Sequence, residues 1–163
     1  MKSVSGSLAL LAVLLLQIPA IAGPMASVGK PAPAFAVTDV NGKKVLLRQF
    51  AGHPVFLNFF ATWCPPCKLE LPEIVKRYPQ YKDRVIFLGL DQEETPDLVK
   101  PFLTQFSIPY QIGIDQGQVA AVYGVQALPA SVFIDKSGIV RAMWRGYLSP
   151  QKFVEDMKLI TNR

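Results

Sequence analysis

The chain is poor in the residues that build metal centres: its 163 residues include two cysteines and one histidine. A structural zinc site needs four ligands, so Cys and His alone cannot supply one here, and no metal is expected. The two cysteines, Cys64 and Cys67, enclose only two residues and form no framework of staples. Runs of positive charge are also missing. The net charge of +5 comes from scattered lysines and arginines in runs no longer than two. No basic stripe results, and no nucleic-acid partner is expected. Internal repeats and low-complexity segments are absent, and a 50% hydrophobic fraction is inconsistent with a disordered chain.

Acidic residues are missing from the first 38 positions, and no charge of either sign lies between Ser3 and Gly29. What stands there instead is Lys2, the apolar run Leu8–Leu16, the helix breaker Pro19 and the small-residue triplet Ala20-Ile21-Ala22. That order is the build of an export signal over residues 1–22, cleaved after Ala22. The competing reading is a retained membrane tether through residues 4–22. The strongly apolar run is shorter than the roughly 20 residues a spanning helix needs, although the uncharged stretch is long enough. No cysteine lies near the cleavage site to carry a lipid. Residues 23–34 read as a linker leading into one domain over 35–163, a length able to bury a real core.

Within that domain, Asn41-Gly42 between two alternating stretches signals a hairpin over Phe35–Leu47. Val55–Phe60 is a nearly continuous apolar run of strand length, as expected of a strand covered on both faces, and Val85–Leu90 reads as a second buried strand. From Cys67 the apolar residues fall at Leu71, Ile74, Val75 and Tyr78, a helical stripe, with Pro65 and Pro66 in its first turn and Pro72 expected to kink it. Thr95-Pro96-Asp97 opens a helix that would turn Leu98, Phe102, Leu103 and Phe106 inward. Tyr110–Ile114 reads as a strand and Gln118–Tyr123 as a short helix ended by Gly124. A hairpin follows over Ser131–Trp144, and a last helix after Ser149-Pro150. Strands alternating with helices before an antiparallel finish predict a mixed α/β sheet with helices on both faces.

The C-x-x-C sits where a buried strand ends and a helix begins. Cysteines three apart on a helix share one face, with Cβ atoms about 5–6 Å apart, close enough to adjust into a disulfide. In an exported protein such a pair oxidises readily, yet closing so small a loop removes little chain entropy. The pair is therefore expected to open and shut. Cys64 falls at the N-cap, where the helix dipole stabilises a thiolate by ~0.3–2 kcal/mol and lowers its pKa by roughly 0.2–1.5 units. That brings it toward ambient pH, where attack on a disulfide is most effective. Cys67, one turn in, is expected to be more buried and to resolve the mixed disulfide.

Phe59-Phe60-Ala61-Thr62-Trp63-Cys64-Pro65-Pro66-Cys67, followed by Ala127-Leu128-Pro129-Ala130-Ser131, resembles the thioredoxin superfamily. More narrowly it resembles its exported TlpA/ResA/DsbE-type thiol–disulfide oxidoreductases, from about Val28 to the C-terminus. The opening Val28–Phe35 with Asn41-Gly42-Lys43 is similar to those proteins and to the related peroxiredoxins. The resemblance implies a thioredoxin fold with an added N-terminal β-hairpin. It also implies a location in the bacterial periplasm or on the outer face of the cytoplasmic membrane, and no cofactor beyond the redox-active Cys64–Cys67 pair. Pro129 matches the cis-proline facing that pair, with Leu128, Trp63, Pro65 and Pro66 forming the surface where substrate docks. Asn58 departs from ordinary thioredoxins, which carry a buried acid at that point of the strand. An amide cannot shuttle protons, so an acid–base helper must come from elsewhere, and Glu94, in the acidic stretch after the next strand, is the candidate.

The function expected is reduction of client protein disulfides, apocytochrome c among them, with electrons from an upstream membrane donor. An oxidase donating disulfides would use the same cysteines. A Cu(I)-carrying dithiol is the alternative outside enzymology, since soft thiolates suit that ion, although no Met or His is adjacent. A peroxidase would need P-x-x-x-T-x-x-C, and Leu57 and Ala61 occupy those positions before Cys64.

Overall fold

Strand β3 (Val55–Phe60) is buried along all six residues, as its apolar sequence, interrupted only by Asn58, requires. In a computed structural model describing residues 25–162, it lies between β4 (Ile86–Gln92), to which it runs parallel, and β6 (Ala130–Ile134), to which it runs antiparallel. Beyond β4 come β5 (Gln111–Asp115) and the hairpin of β1 (Ala36–Asp39) and β2 (Lys44–Leu46). Beyond β6 lies β7 (Val140–Arg145), giving one seven-stranded mixed sheet in the order β2-β1-β5-β4-β3-β6-β7. The leader expected over residues 1–22 lies outside the described residues.

The period-two alternation of β3 splits the core into two layers. Phe56 and Phe60 point to the face covered by α1 (Pro65–Tyr81), α2 (Pro96–Gln105) and α4 (Pro150–Thr161). Val55, Leu57 and Phe59 point to the face covered by α3 (Gln118–Val122) and a 3-10 turn over Leu47–Phe50. The mixed sheet, helices on both faces and added hairpin agree with the sequence reading. At the hairpin tip, the Asp39 carboxylate accepts the N–H groups of Asn41 and Lys43, and Gly42 takes φ +82. The segment read as a linker is stitched to the body: Ala26 N–H donates to Val122, and residues 29–32 bond to the outer edge of β7 and its preceding turn.

Three local expectations need correction. Leu98 is 60% exposed, whereas Val99 is fully buried, because the inward face of α2 is set by Val99 and Phe102. Thr95 is the N-cap of α2, but its side chain makes no capping bond. Strand β4 runs two residues further than its apolar run, through Asp91 and Gln92. Helix α1 continues through both Pro72 and Pro79, each of which removes one helical N–H donor.

Phe56 is fully buried and lies 5.3, 5.0 and 5.2 Å, centroid to centroid, from the rings of Phe87, Phe133 and Phe153. Phe56→Ala is expected to cost about 3–5 kcal/mol in urea unfolding, because the surrounding rings cannot all collapse into the gap. A loss below about 1 kcal/mol would contradict that packing.

Candidate active site

Beyond β3 the chain makes a tight turn, with Cys64 N–H donating to Ala61 O, and α1 begins at Pro65. Two prolines at its first positions fit because those N–H groups have no helical partner. Cys64 is the N-cap, in extended conformation (φ −86, ψ 107), and is joined to Cys67 by a disulfide with Cα atoms 5.3 Å apart. The Cys67 N–H donates to Cys64 Sγ at 3.2 Å, the bond that would stabilise a thiolate there. Cys67 is fully enclosed and Cys64 is 2% exposed, so the difference in burial is small. The chemical asymmetry comes from position: one sulfur is at the dipole's positive end and the other is inside the first turn.

The register Phe59–Ala130 brings the Leu128–Pro129 segment to the end of β3 from which Cys64 departs. The Leu128–Pro129 peptide is cis. Pro129 O accepts the N–H of Gly146, which fixes the β7–α4 loop beside it. Trp63 is 65% exposed and opens a groove of about 380 Å³ that Leu128 closes at the other side. Pro65 is exposed and Pro66 half-buried at the rim. Trp63, Cys64, Pro65, Leu128 and Pro129 thus belong to one end of the sheet.

The acid that β3 lacks stands on the helix. Glu70, one turn after Cys67, is 1% exposed, and Asn58 Nδ2 donates to its Oε1 at 2.9 Å. The backbone N–H of Leu148 donates to its other oxygen. Burial outweighs these two donors and pushes the Glu70 carboxyl up to about 7. The sequence reading missed this residue. Its signal was an acid at the position after Cys67 where the apolar stripe of α1 demanded an inward side chain.

Glu94 is brought to the turn that precedes the pair. Its two oxygens accept the N–H and the Oγ1–H of Thr62, both at 2.6 Å, two residues before Cys64. Behind it Asp91 is fully buried at the end of β4, with no partner for its oxygens other than Glu94. Burial, and then the neighbouring Glu94 carboxylate, push Asp91 up to about 8. Asp91 therefore tends to keep its proton near neutral pH, since two facing carboxylates cannot both ionise cheaply. Among the described residues, no group of three or more His, Cys, Asp or Glu is arranged to hold a metal ion.

A thioredoxin-like sheet presenting a C-x-x-C disulfide at a helix N-terminus, beside a cis-proline loop, defines a thiol–disulfide oxidoreductase. A family model described as AhpC/TSA matches residues 28–143, and the chain belongs to that family. It is 43% identical over 136 residues to the thiol-disulfide oxidoreductase ResA of Bacillus thuringiensis subsp. konkukian, covering 82% of this chain and 79% of that one. It is 33% identical over 138 residues to ResA of Halalkalibacterium halodurans, covering 83% and 78%. Among solved structures, the thioredoxin-family thiol:disulfide interchange protein of Chlorobium tepidum superposes with a TM-score of 0.73 at 29% identity, covering 81% of this chain and 96% of that one.

The raised Glu70 carboxyl has a consequence for stability. Native Glu70 keeps its proton up to about pH 7, whereas a glutamate of ordinary pKa, 4.5, releases it earlier. The native state therefore binds the extra proton across that window, and stability falls as pH rises through it. Glu70→Gln is expected to remove this component, up to about 3 kcal/mol at 1.36 kcal/mol per unit. Urea unfolding of the disulfide form at pH 4.5 and 7.5 tests it. An identical pH dependence in variant and wild type would show that Glu70 is ionised throughout.

Proposed function

We propose that the protein reduces disulfides of client proteins and cycles between a Cys64–Cys67 dithiol and the disulfide seen here. The Cys64 thiolate attacks one sulfur of the client disulfide, and the other client sulfur leaves as a thiolate. Cys67 gives up its proton and attacks Cys64 Sγ, releasing the second client thiolate. Two electrons pass to the client, and the Cys64–Cys67 disulfide is restored. Glu70, one helical turn from Cys67, is the group that accepts the Cys67 proton, because a carboxyl poised near neutral pH can both take and return it. Glu94 holds Thr62, and through it the turn that carries Cys64. No bound cofactor is needed, since the sulfur pair carries the electrons.

The direction rests on one observation: every buried charged side chain among the described residues is acidic, and Glu70, Asp91 and Glu94 cluster at the redox end. Cationic neighbours stabilise thiolates and make a pair oxidising. An all-acidic interior does the reverse and favours electron donation. Export supports the same cycle. The apolar leader would deliver the domain to the periplasm or hold it on the outer face of the cytoplasmic membrane, where an upstream membrane protein must restore the dithiol. An apocytochrome c, whose paired cysteines must be reduced before haem attachment, is a client that fits this setting.

Two measurements test the cycle. Cys67→Ser is expected to accumulate a covalent adduct with a disulfide-bonded client, and Cys64→Ser none; the reverse pattern would exchange the two roles. The equilibrium potential is expected nearer to thioredoxin's, about −270 mV, than to the about −120 mV of a strong periplasmic oxidant. A value at the oxidising end would make the protein a disulfide donor instead.

A further inference from the structure

Two consecutive glutamates follow β4, and the backbone sends them to opposite sides. Glu93 adopts φ +63, a left-handed conformation rare for a residue with a side chain. Its N–H is fixed to Asp115 O at 2.9 Å, and the Asp115 carboxylate in turn accepts the N–H groups of Val119 and Ala120 at the start of α3. This reversal turns Glu94 inward to Thr62 and leaves Glu93 exposed along the groove that begins at Trp63. A Cβ at Gly117 would lie 2.9 Å from Glu93 Oε1, and Gly117 itself has φ +89. The glycine opposite is what leaves space for the carboxylate.

The groove is lined by alanines, Val125, Leu128, Trp63 and two glutamines, and Glu93 is its one charged side chain. Among the described residues, no lysine, arginine or histidine pairs with Glu93. A carboxylate held by backbone strain beside the exposed indole, with no cation of its own chain, is available to a visiting one. A basic group in the groove would meet the Glu93 charge in a cleft that the exposed Trp63 also lines. This contrasts with a surface that is basic overall, with 17 Lys and Arg against 12 Asp and Glu.

We propose that Glu93 is a specificity determinant: the groove between Trp63 and Leu128 takes the client segment flanking its disulfide and selects one carrying a lysine or arginine at the Glu93 side. The proposal rests on the client-reducing activity above and names which clients that activity favours.

The test uses the full dithiol protein with three disulfide-bonded peptides identical except for Lys, Gln or Glu next to the first cysteine. Wild type is expected to favour the Lys peptide over the Glu peptide in kcat/KM by about two- to fivefold, the scale of a solvent-facing ion pair. Raising salt to 0.5 M is expected to erase the preference, since the Debye length then shrinks to roughly 4 Å. Glu93→Gln is expected to bring the ratio near one and Glu93→Lys to invert it. Equal rates for the three peptides in wild type would overturn the proposal, as would a Lys preference unchanged in Glu93→Gln. Failure of wild type to reduce any of the peptides would instead sink the client-reducing activity itself.

Discussion

Strand β3 is enclosed on both faces and paired on both edges, and that enclosure fixes the site. A strand with no free edge and no exposed side chain cannot shift register, because a slip of one residue would exchange its two apolar faces. Its end is therefore a fixed point, and Cys64 stands four residues beyond it. From the same end, β4 delivers Asp91 and Glu94 on one side, and β6, its antiparallel neighbour, begins just after Pro129 on the other. The redox pair, the docking loop and the acid cluster share one pole of the sheet because three strands share one register.

The buried acids of this site form two carboxyl systems that do not touch the same group. Glu70 belongs to α1 and is tied to β3 by Asn58 and to the β7–α4 loop by Leu148. Asn58 is the departure from ordinary thioredoxins, and the structure shows how it is accommodated. The amide that replaces the strand acid becomes the hydrogen-bond donor to the helix acid twelve residues later. The second system, Asp91 with Glu94, grips Thr62 upstream of Cys64. The two Glu94 oxygens each receive one short hydrogen bond from Thr62 and are suited to holding a turn in place, whereas Glu70 stands one helical turn from Cys67 with its carboxyl pushed up to about 7. The sequence reading gave the acid–base role to Glu94.

Much of the fold was legible because its signals are local. Apolar runs at Val55–Phe60 and Val85–Leu90, Asn41-Gly42, Ser149-Pro150 and Gly124 each mark an element through backbone chemistry that needs no tertiary partner. The cysteine pair was legible for the same reason. Leu98 was misjudged because a leucine in the first turn of an amphipathic helix and a valine beside it differ by one register step, and only packing chooses between them. The end of β4 was missed because Asp91 and Gln92 are polar, and β-propensity and hydropathy both fall there although the ladder to β3 and β5 continues. Glu70 was missed because an acid inside an apolar stripe reads as an exposed face. It became visible only when Asn58 and Leu148 were seen to satisfy it.

The acid cluster also bears on the choice between reduction and oxidation. A disulfide pair is oxidising when its reduced form is stabilised, and the usual means is to gather positive charge and N–H donors around the attacking thiolate. Cys64 has the helix terminus and a single N–H, from Cys67, but the buried side chains nearby add negative charge only. If Glu70 is protonated when Cys67 is a thiolate, the pair and the acid share one proton and one negative charge, and only that single charge is buried. Ionising Glu70 while either sulfur is a thiolate would place two like charges in the same dry region, which pushes the equilibrium toward the neutral disulfide. In the proposed cycle the arrangement would favour giving electrons away, more strongly as pH rises through the range in which Glu70 ionises.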